Sequence, residues 1–268
     1  MRIAVCVKQV PDPDTPTSAF NVDEAAGIVI PAPGIPPVVN GFDLHAVEAA
    51  LRIKDRIAEA RVSVLSVGSG FVLDAMKKPL AMGADELTLL DDPVAGDLDG
   101  VATAKALRLL VERTGPYELI LCGRQASDWD QAFVPLGLAE LLNLPCVTLA
   151  RSVEVSGEEY GGTVRIERTL ADGYQIVEVP MPVVVTVSNE LGEARFATLR
   201  GIMAATKTTP SRYSMADLGI EVETLTPELR LRRLFVPESD RECEVIEGED
   251  EDDAGRRLAI KLHEAGLI

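Results

Sequence analysis

A chain of 268 residues with 26 Lys and Arg against 43 Asp and Glu carries a formal charge of −17. That acidic excess excludes a nucleic-acid platform, because a polyanion would be repelled. At 47% hydrophobic and 26% charged residues the composition is that of a folded chain with a sizeable core, and 4% aromatics make that core aliphatic. The length predicts one large or two small domains.

The opening MRIAVCVKQV reads as a strand, without the basic and apolar regions of a secretory signal. No run of about 18 apolar residues is available to cross a membrane, so a cytoplasmic protein that is not membrane-embedded is expected. Strands are predicted at 3–7, 62–67, 87–90, 119–122 and 146–149, with helices at 43–60, 72–82, 98–112 and 132–142 between and around them. This alternation predicts an α/β fold, a parallel sheet doubly wound with helices. A Pro-rich excursion over 11–37 is too long for an ordinary strand-to-helix connection and is expected to face a partner. In the helix at 43–60, Leu44, Val47, Leu51 and Ala58 keep helical spacing and Glu48 stands four residues before Arg52, a supportive pair.

After Ala150 the pattern changes. Runs at 163–169, 175–179 and 183–187, with turn signals at Gly161-Gly162 and Asp172-Gly173, predict an antiparallel addition to the same sheet. Beyond Asn189 no apolar period is sustained until a last helix at 253–264, which sets Leu258 and Leu262 on one face. The stretch 238–253 holds ten acidic residues and one Arg, the composition of a solvated face. Domain boundaries are placed at 1–190, an α/β nucleotide-binding-like domain, and 191–268, a segment without a sustained apolar period that ends in an extended C-terminal arm.

Cys6, Cys122, Cys146 and Cys243 are widely spaced and form no CxxC pair, and only His45 and His263 could assist a metal, so no metal site is expected. In an open parallel sheet ligands bind outside the carboxyl ends of the strands, near the point where strand order reverses. Two loops there stand out. Gly68-Ser69-Gly70 is part of a dinucleotide fingerprint whose third glycine position is Leu73; the alternative is a tight turn. The loop Gly123-Arg124-Gln125-Ala126-Ser127-Asp128 leads into a helix whose first N–H groups, around Gln131 to Val134, can hold a phosphate beside Arg124, while Ser127 or Asp128 can equally be helix caps. No G-x-S-x-G, H-E-x-x-H or full Walker A motif is present, so a binding or carrier role is favoured over catalysis.

Several strings, in order, resemble the β-subunit of electron-transfer flavoproteins: VCVKQVPD (5–12), NGFDLHAVEAAL (40–51), LAMGAD (80–85), LCGRQASD (121–128), RTLADGY (168–174), PMPVV (180–184) and EARFATLRGIM (193–203). The resemblance implies the adenine-nucleotide-binding, HUP-like form of the fold. It implies a heterodimer whose α-subunit holds most of a shared FAD. Electrons would come from acyl-CoA or related flavin dehydrogenases, as in fatty acid oxidation, and leave toward a quinone oxidoreductase. Family AMP contacts map onto Cys6, Asn40, Gly41, Phe42, Asp43 and Ser69, and onto Gly123, Arg124, Gln125, Ala126, Ser127, Asp128, Ala132, Phe133 and Val134; Phe42 matches a residue near the flavin ring. A partner-docking loop maps onto Arg195, Phe196, Ala197, Thr198, Leu199, Ile202 and Met203, with Leu199 as its anchor.

The chain departs from the family at three places. Ala132-Phe133-Val134-Pro135 replaces a helix start that often reads Asn-Gln-Thr-Gly, Pro13 stands where a flavin-stacking Tyr is usual, and Trp129 replaces the Gly of members with a second FAD in the β-subunit. An indole there would crowd the diphosphate path that the resemblance implies, which favours AMP, or an empty site, over a second flavin. The alternatives are a bifurcating subunit that oxidises NADH at a β-bound FAD, and a stand-alone adenine-nucleotide sensor.

Overall fold

The computed structural model describes residues 1–156, 162–237 and 243–268. In chain order its elements are β1 (Arg2–Cys6), β2 (Gln9–Val10), β3 (Asn21–Asp23), β4 (Ile28–Ile30), β5 (Val38–Val39), α1 (Gly41–Arg56), β6 (Arg61–Gly68), α2 (Leu73–Met76), α3 (Lys78–Met82), β7 (Glu86–Asp91), α4 (Gly100–Thr114), β8 (Leu119–Gly123) and α5 (Val134–Leu141). There follow β9 (Cys146–Ser156), β10 (Thr163–Leu170), β11 (Gly173–Pro180), β12 (Val183–Val187), α6 (Leu199–Lys207), β13 (Ser211–Tyr213) and α7 (Glu251–Glu264).

Among the described residues, nine strands form one sheet in the order β11-β10-β9-β12-β8-β1-β6-β7-β13. Pairing is parallel from β9 to β13, while β10 and β11 are antiparallel. From β1 the chain builds outward through β6 and β7, then returns to place β8 on the other side of β1. Strand order therefore reverses between β1 and β8, where Cys6 lies opposite Cys122.

The aliphatic core fills both faces of the sheet. On one, Ile3, Val5, Val64 and Leu121 pack against Val47 and Leu51 of α1 and Leu80 of α3. On the other, Ala4, Leu65, Ile120 and Val184 meet Leu107 and Leu110 of α4 and Leu138 of α5. These alternate residues of strands buried on both sides explain why the strands read as continuous apolar runs.

Six elements differ from the sequence reading. β12 is not part of the antiparallel addition: it lies parallel between β8 and β9, with all five residues buried. β9 continues past Leu149 to Ser156, through a bulge at which Leu149 takes φ 60°. α1 stops at Arg56, and the stretch at 72–82 breaks into α2 and α3 at Lys77, just before Pro79, which has no N–H to continue the ladder. α5 starts only at Val134, because Asp130 and Ala132 hold left-handed φ values of 50° and 53°. α6 has no counterpart in the sequence reading; it buries only Ala205 and turns Leu199, Ile202 and Met203 outward, so it lacks a core-facing stripe.

The excursion over 11–37 is closed at its neck by β2 pairing with β5, Gln9 opposite Val39, and carries the β3–β4 hairpin. The chain divides into two units, Met1–Leu234 and Phe235–Ile268. The end of the first unit runs across the body: Asp99 Oδ2 accepts the N–H groups of Glu228 (2.7 Å) and Leu229 (2.8 Å), and Arg233 reaches Glu24 (3.4 Å). The second unit contains α7, capped by Asp250, whose carboxylate accepts Asp253 N–H at 2.8 Å. The Gly161-Gly162 turn signal falls partly, and the acidic stretch 238–253 begins, outside the described residues.

Candidate functional site

At the reversal between β1 and β8, two buried polar side chains at the start of α1 tie three segments together. Asn40 is fully buried; its amide donates to Gln125 C=O (2.8 Å) and its Oδ1 accepts Ser127 N–H (3.2 Å), while its own N–H donates to Lys8 C=O (2.9 Å). Asp43 accepts Lys8 N–H at Oδ2 (2.7 Å) and Gly123 N–H at Oδ1 (3.1 Å). A Cβ on Gly123 would lie 2.3 Å from Asp43 Oδ1 and 2.7 Å from its backbone nitrogen, so only glycine allows β8 to approach α1 this closely. Burial pushes the Asp43 carboxyl up to about 7, against the Lys8 and Gly123 N–H bonds, the Asn40 side chain and the Lys8 charge, which all favour the ionised form.

The loop this frame holds is the one after β8. Arg124 donates its N–H to Val187 C=O (3.0 Å), stacks its guanidinium 4.7 Å from the centre of the Phe42 ring, and buries Nε without a partner. Asp128 pairs with the Lys8 ammonium at 2.6 Å, and Gln125 donates to Asp130 Oδ1 at 2.6 Å. Asp128 is thus not the cap of α5, whose N-cap is Phe133. Ser127 and Trp129 lie in the exposed turn, and Gly41 and Ala126 complete the chain on either side. Ala132 is in the left-handed region and Phe133 sits at the cap of α5, its ring against Gly100 and Gly137, where added Cβ atoms would fall 3.2 and 3.0 Å away. The first N–H groups of α5 have no intrahelical acceptor, the first such bond being Gly137 N–H to Phe133 C=O (2.9 Å), and Pro135 removes one of them, leaving those of Phe133, Val134 and Leu136.

Cys6 ends β1 beside Cys122, both buried thiols; burial and the Cys6 thiol beside it push Cys122 up, the hydrogen bond to Cys6 foremost. Ser69 is placed elsewhere in the crevice. It packs on Gly96 in the turn after β7, a Cβ there falling 2.5 Å from its Oγ, and no hydrogen bond joins it to the Asn40–Asp43 frame. The helix that follows, α2, has four residues, too short for an anion site at its N-terminus.

Beside Arg124 an open groove of about 380 Å³ is lined by Leu149, Arg168, Thr169, Leu170, Ala171 and Glu190. Arg168 Nε and Thr169 Oγ1 are buried there without partners, although the Arg168 guanidinium also donates to Thr148 Oγ1 (3.0 Å). Buried donors are usually paired with protein, water or ligand, so the groove offers two unused donors. Sequence reasoning used RTLADGY only as a fingerprint and missed this groove, as it missed the structural part of Lys8.

The docking segment sits on a different face. Phe196 and Leu199 are 89% and 75% exposed, Ile202 and Met203 are exposed beside them, and Thr198 caps α6 by accepting Gly201 N–H at 3.0 Å. Arg195 is half-buried and pairs with Glu48 (2.8 Å) and Asp55 (2.8 Å) of α1, with Ala197 half-buried beneath the segment. Among the described residues no group of three His, Cys, Asp or Glu is placed to hold a metal ion, and no helix is long and apolar enough to cross a membrane.

A profile of the electron transfer flavoprotein domain matches residues 32–218. The chain is 36% identical to the electron transfer flavoprotein subunit beta of Thermoanaerobacterium thermosaccharolyticum over the whole of both chains. It is 32% identical to the caffeyl-CoA reductase-Etf complex subunit CarD of Acetobacterium woodii, again over the whole of both, and 33% identical to the subunit beta of Megasphaera elsdenii over 94% of each. With its mostly parallel nucleotide-type sheet and these full-length likenesses, the chain belongs to the electron transfer flavoprotein β-subunit family.

Proposed function

We propose that this chain, with an α-subunit, forms a heterodimeric electron carrier. It accepts electrons from flavin dehydrogenases of the acyl-CoA type and passes them toward a quinone oxidoreductase. In this reading AMP occupies the loop after β8 and a FAD lies at the subunit boundary. The flavin supplies the electron chemistry, taking up one or two electrons and releasing them; this chain positions, shields and docks.

The observation that supports an adenine nucleotide is the loop held by Asn40 and Asp43. It presents Arg124 Nε, buried without a partner, close in sequence to the N-terminus of α5. A phosphate would take the Phe133 and Val134 N–H groups, and the helix dipole favours its charge. Replacement of the usual polar helix start by Ala132-Phe133-Val134-Pro135 leaves this recognition to backbone N–H groups. Lys8 and Asp128 neutralise one another and brace the loop.

The docking role rests on Leu199, an aliphatic side chain 75% exposed on a capped helix. An apolar anchor entering a pocket on a partner gains its binding energy there. Leu199→Ala in the heterodimer is expected to raise KM for electron acceptance from an acyl-CoA dehydrogenase about tenfold at unchanged FAD content. An unchanged KM removes Leu199 from the docking surface.

The groove at Arg168 favours a second reading. Its unpartnered Nε and Thr169 Oγ1 offer donors to a flavin ring reached past Arg124, and one relative is named as part of a reductase-Etf complex. Under this reading the β-chain holds a second FAD and NADH delivers hydride to it. Two FAD per heterodimer, bleached by NADH, would establish it.

A further inference from the structure

The docking segment is apolar and exposed at its tip but fixed at its base by a single buried carboxylate. Glu48 is 5% exposed, and its two oxygens accept four N–H groups. Oε1 takes Arg52 Nε (2.8 Å) and one Arg195 guanidinium nitrogen (3.3 Å); Oε2 takes Arg195 Nε (2.8 Å) and the Arg195 backbone N–H (3.1 Å). The backbone bond matters most, because it fixes the chain path one residue before Phe196 rather than a side chain alone. Arg52 in turn donates to Leu191 C=O at 3.0 Å, so α1 grips the segment on both sides of Gly192.

The far end is seated as firmly. A Cβ on Gly201 would lie 2.2 Å from Ala81 C=O, so α6 rests directly on the last turn of α3, and Lys77 Nζ donates to Thr206 C=O at 3.1 Å. Burial pushes the Glu48 carboxyl up, yet the Arg195 and Arg52 bonds outweigh it and leave it below the ordinary carboxylate range. It is therefore ionised wherever the protein is folded near neutrality.

We propose that Glu48 is a positioning residue for partner docking: through Arg195 it sets the path of residues 195–199, so that Phe196 and Leu199 meet a flavin dehydrogenase already ordered. The inference rests on the docking reading of Leu199 given above. A segment ordered before encounter loses less conformational freedom on binding. Glu48→Gln keeps the volume but turns an amide NH2 toward guanidinium donors, so the four-bond arrangement cannot survive. Arg195→Lys keeps the charge but not the forked donors, and is the milder change.

The test uses the FAD-loaded heterodimer, with steady-state electron acceptance from an acyl-CoA dehydrogenase and amide hydrogen exchange of the free heterodimer. Glu48→Gln is expected to raise KM tenfold or more at unchanged kcat, and to speed exchange of the Arg195 amide, the one bonded to Glu48, at least tenfold while β1 and β8 exchange as in the parent. Arg195→Lys is expected to raise KM about threefold, and carries the test if Glu48→Gln does not assemble. Parent-like exchange of the Arg195 amide, or a KM within twofold of the parent while Leu199→Ala raises it tenfold, overturns this inference alone. A flat KM in both Glu48→Gln and Leu199→Ala overturns the docking reading and this inference with it.

Discussion

Asp43 sits where a charge is costly and gives a test of the site that needs no partner assay. Its ordinary value of 3.8 is raised to about 7 in the fold, chiefly by burial. Between those values the folded chain holds a proton that the unfolded chain has released, so stability falls as pH rises from about 4 to 7 and levels off above. Between pH 5 and pH 8 the loss worked from these two values is about 2–3 kcal/mol. Asp43→Asn cannot ionise and should lack this component. The measurement is urea unfolding at half-unit steps from pH 5 to 8, read as the difference between parent and variant. The parent is expected to lose about 2–3 kcal/mol relative to Asp43→Asn across that range. Parallel curves would refute the reasoning, and would mean that the Lys8 and Gly123 N–H bonds keep Asp43 ionised at its ordinary value.

Two further predictions separate binding from folding. Val134→Asp puts a carboxylate at the first position of α5, where it suits the helix dipole but repels a phosphate; AMP affinity by calorimetry should fall about tenfold or more, whereas Val134→Ala, which loses the same packing on the core without the charge, should keep it. Asp99→Ala removes both the α4 cap, Oδ1 accepting Ala102 N–H at 2.8 Å, and the acceptor of Glu228 and Leu229. A cost of about 0.5–2 kcal/mol is expected for the cap, with faster amide exchange at 228–229; unchanged exchange there would show that Asp99 does not hold the segment.

The parallel half of the sheet was legible because each strand is a short apolar run followed by a helix with a regular stripe. β12 was misplaced for a reason specific to it: VVVTV says that both faces are buried, but not which neighbours bury them, and its position after two antiparallel strands pointed to the edge. The loop after β8 could be found from its glycine and its place before a helix. What fixes it could not, since the bonds from Asn40 to Gln125 and Ser127 span 85 and 87 residues. The Arg168 groove was hidden for a related reason, because an unpartnered Nε is a property of three-dimensional packing. α6 was missed because its apolar residues face outward, against the rule that an amphipathic stripe marks a core.

The central claim is that this chain completes a flavin-bearing heterodimer and itself holds an adenine nucleotide. Its most direct test is to purify the chain with its α-subunit, release the bound nucleotides with acid, and quantify FAD and AMP by chromatography against the protein. One FAD and one AMP per heterodimer is the predicted result. Two FAD without AMP would contradict it in favour of a second flavin against Arg168, and a chain that purifies alone without flavin or nucleotide would contradict the account as a whole.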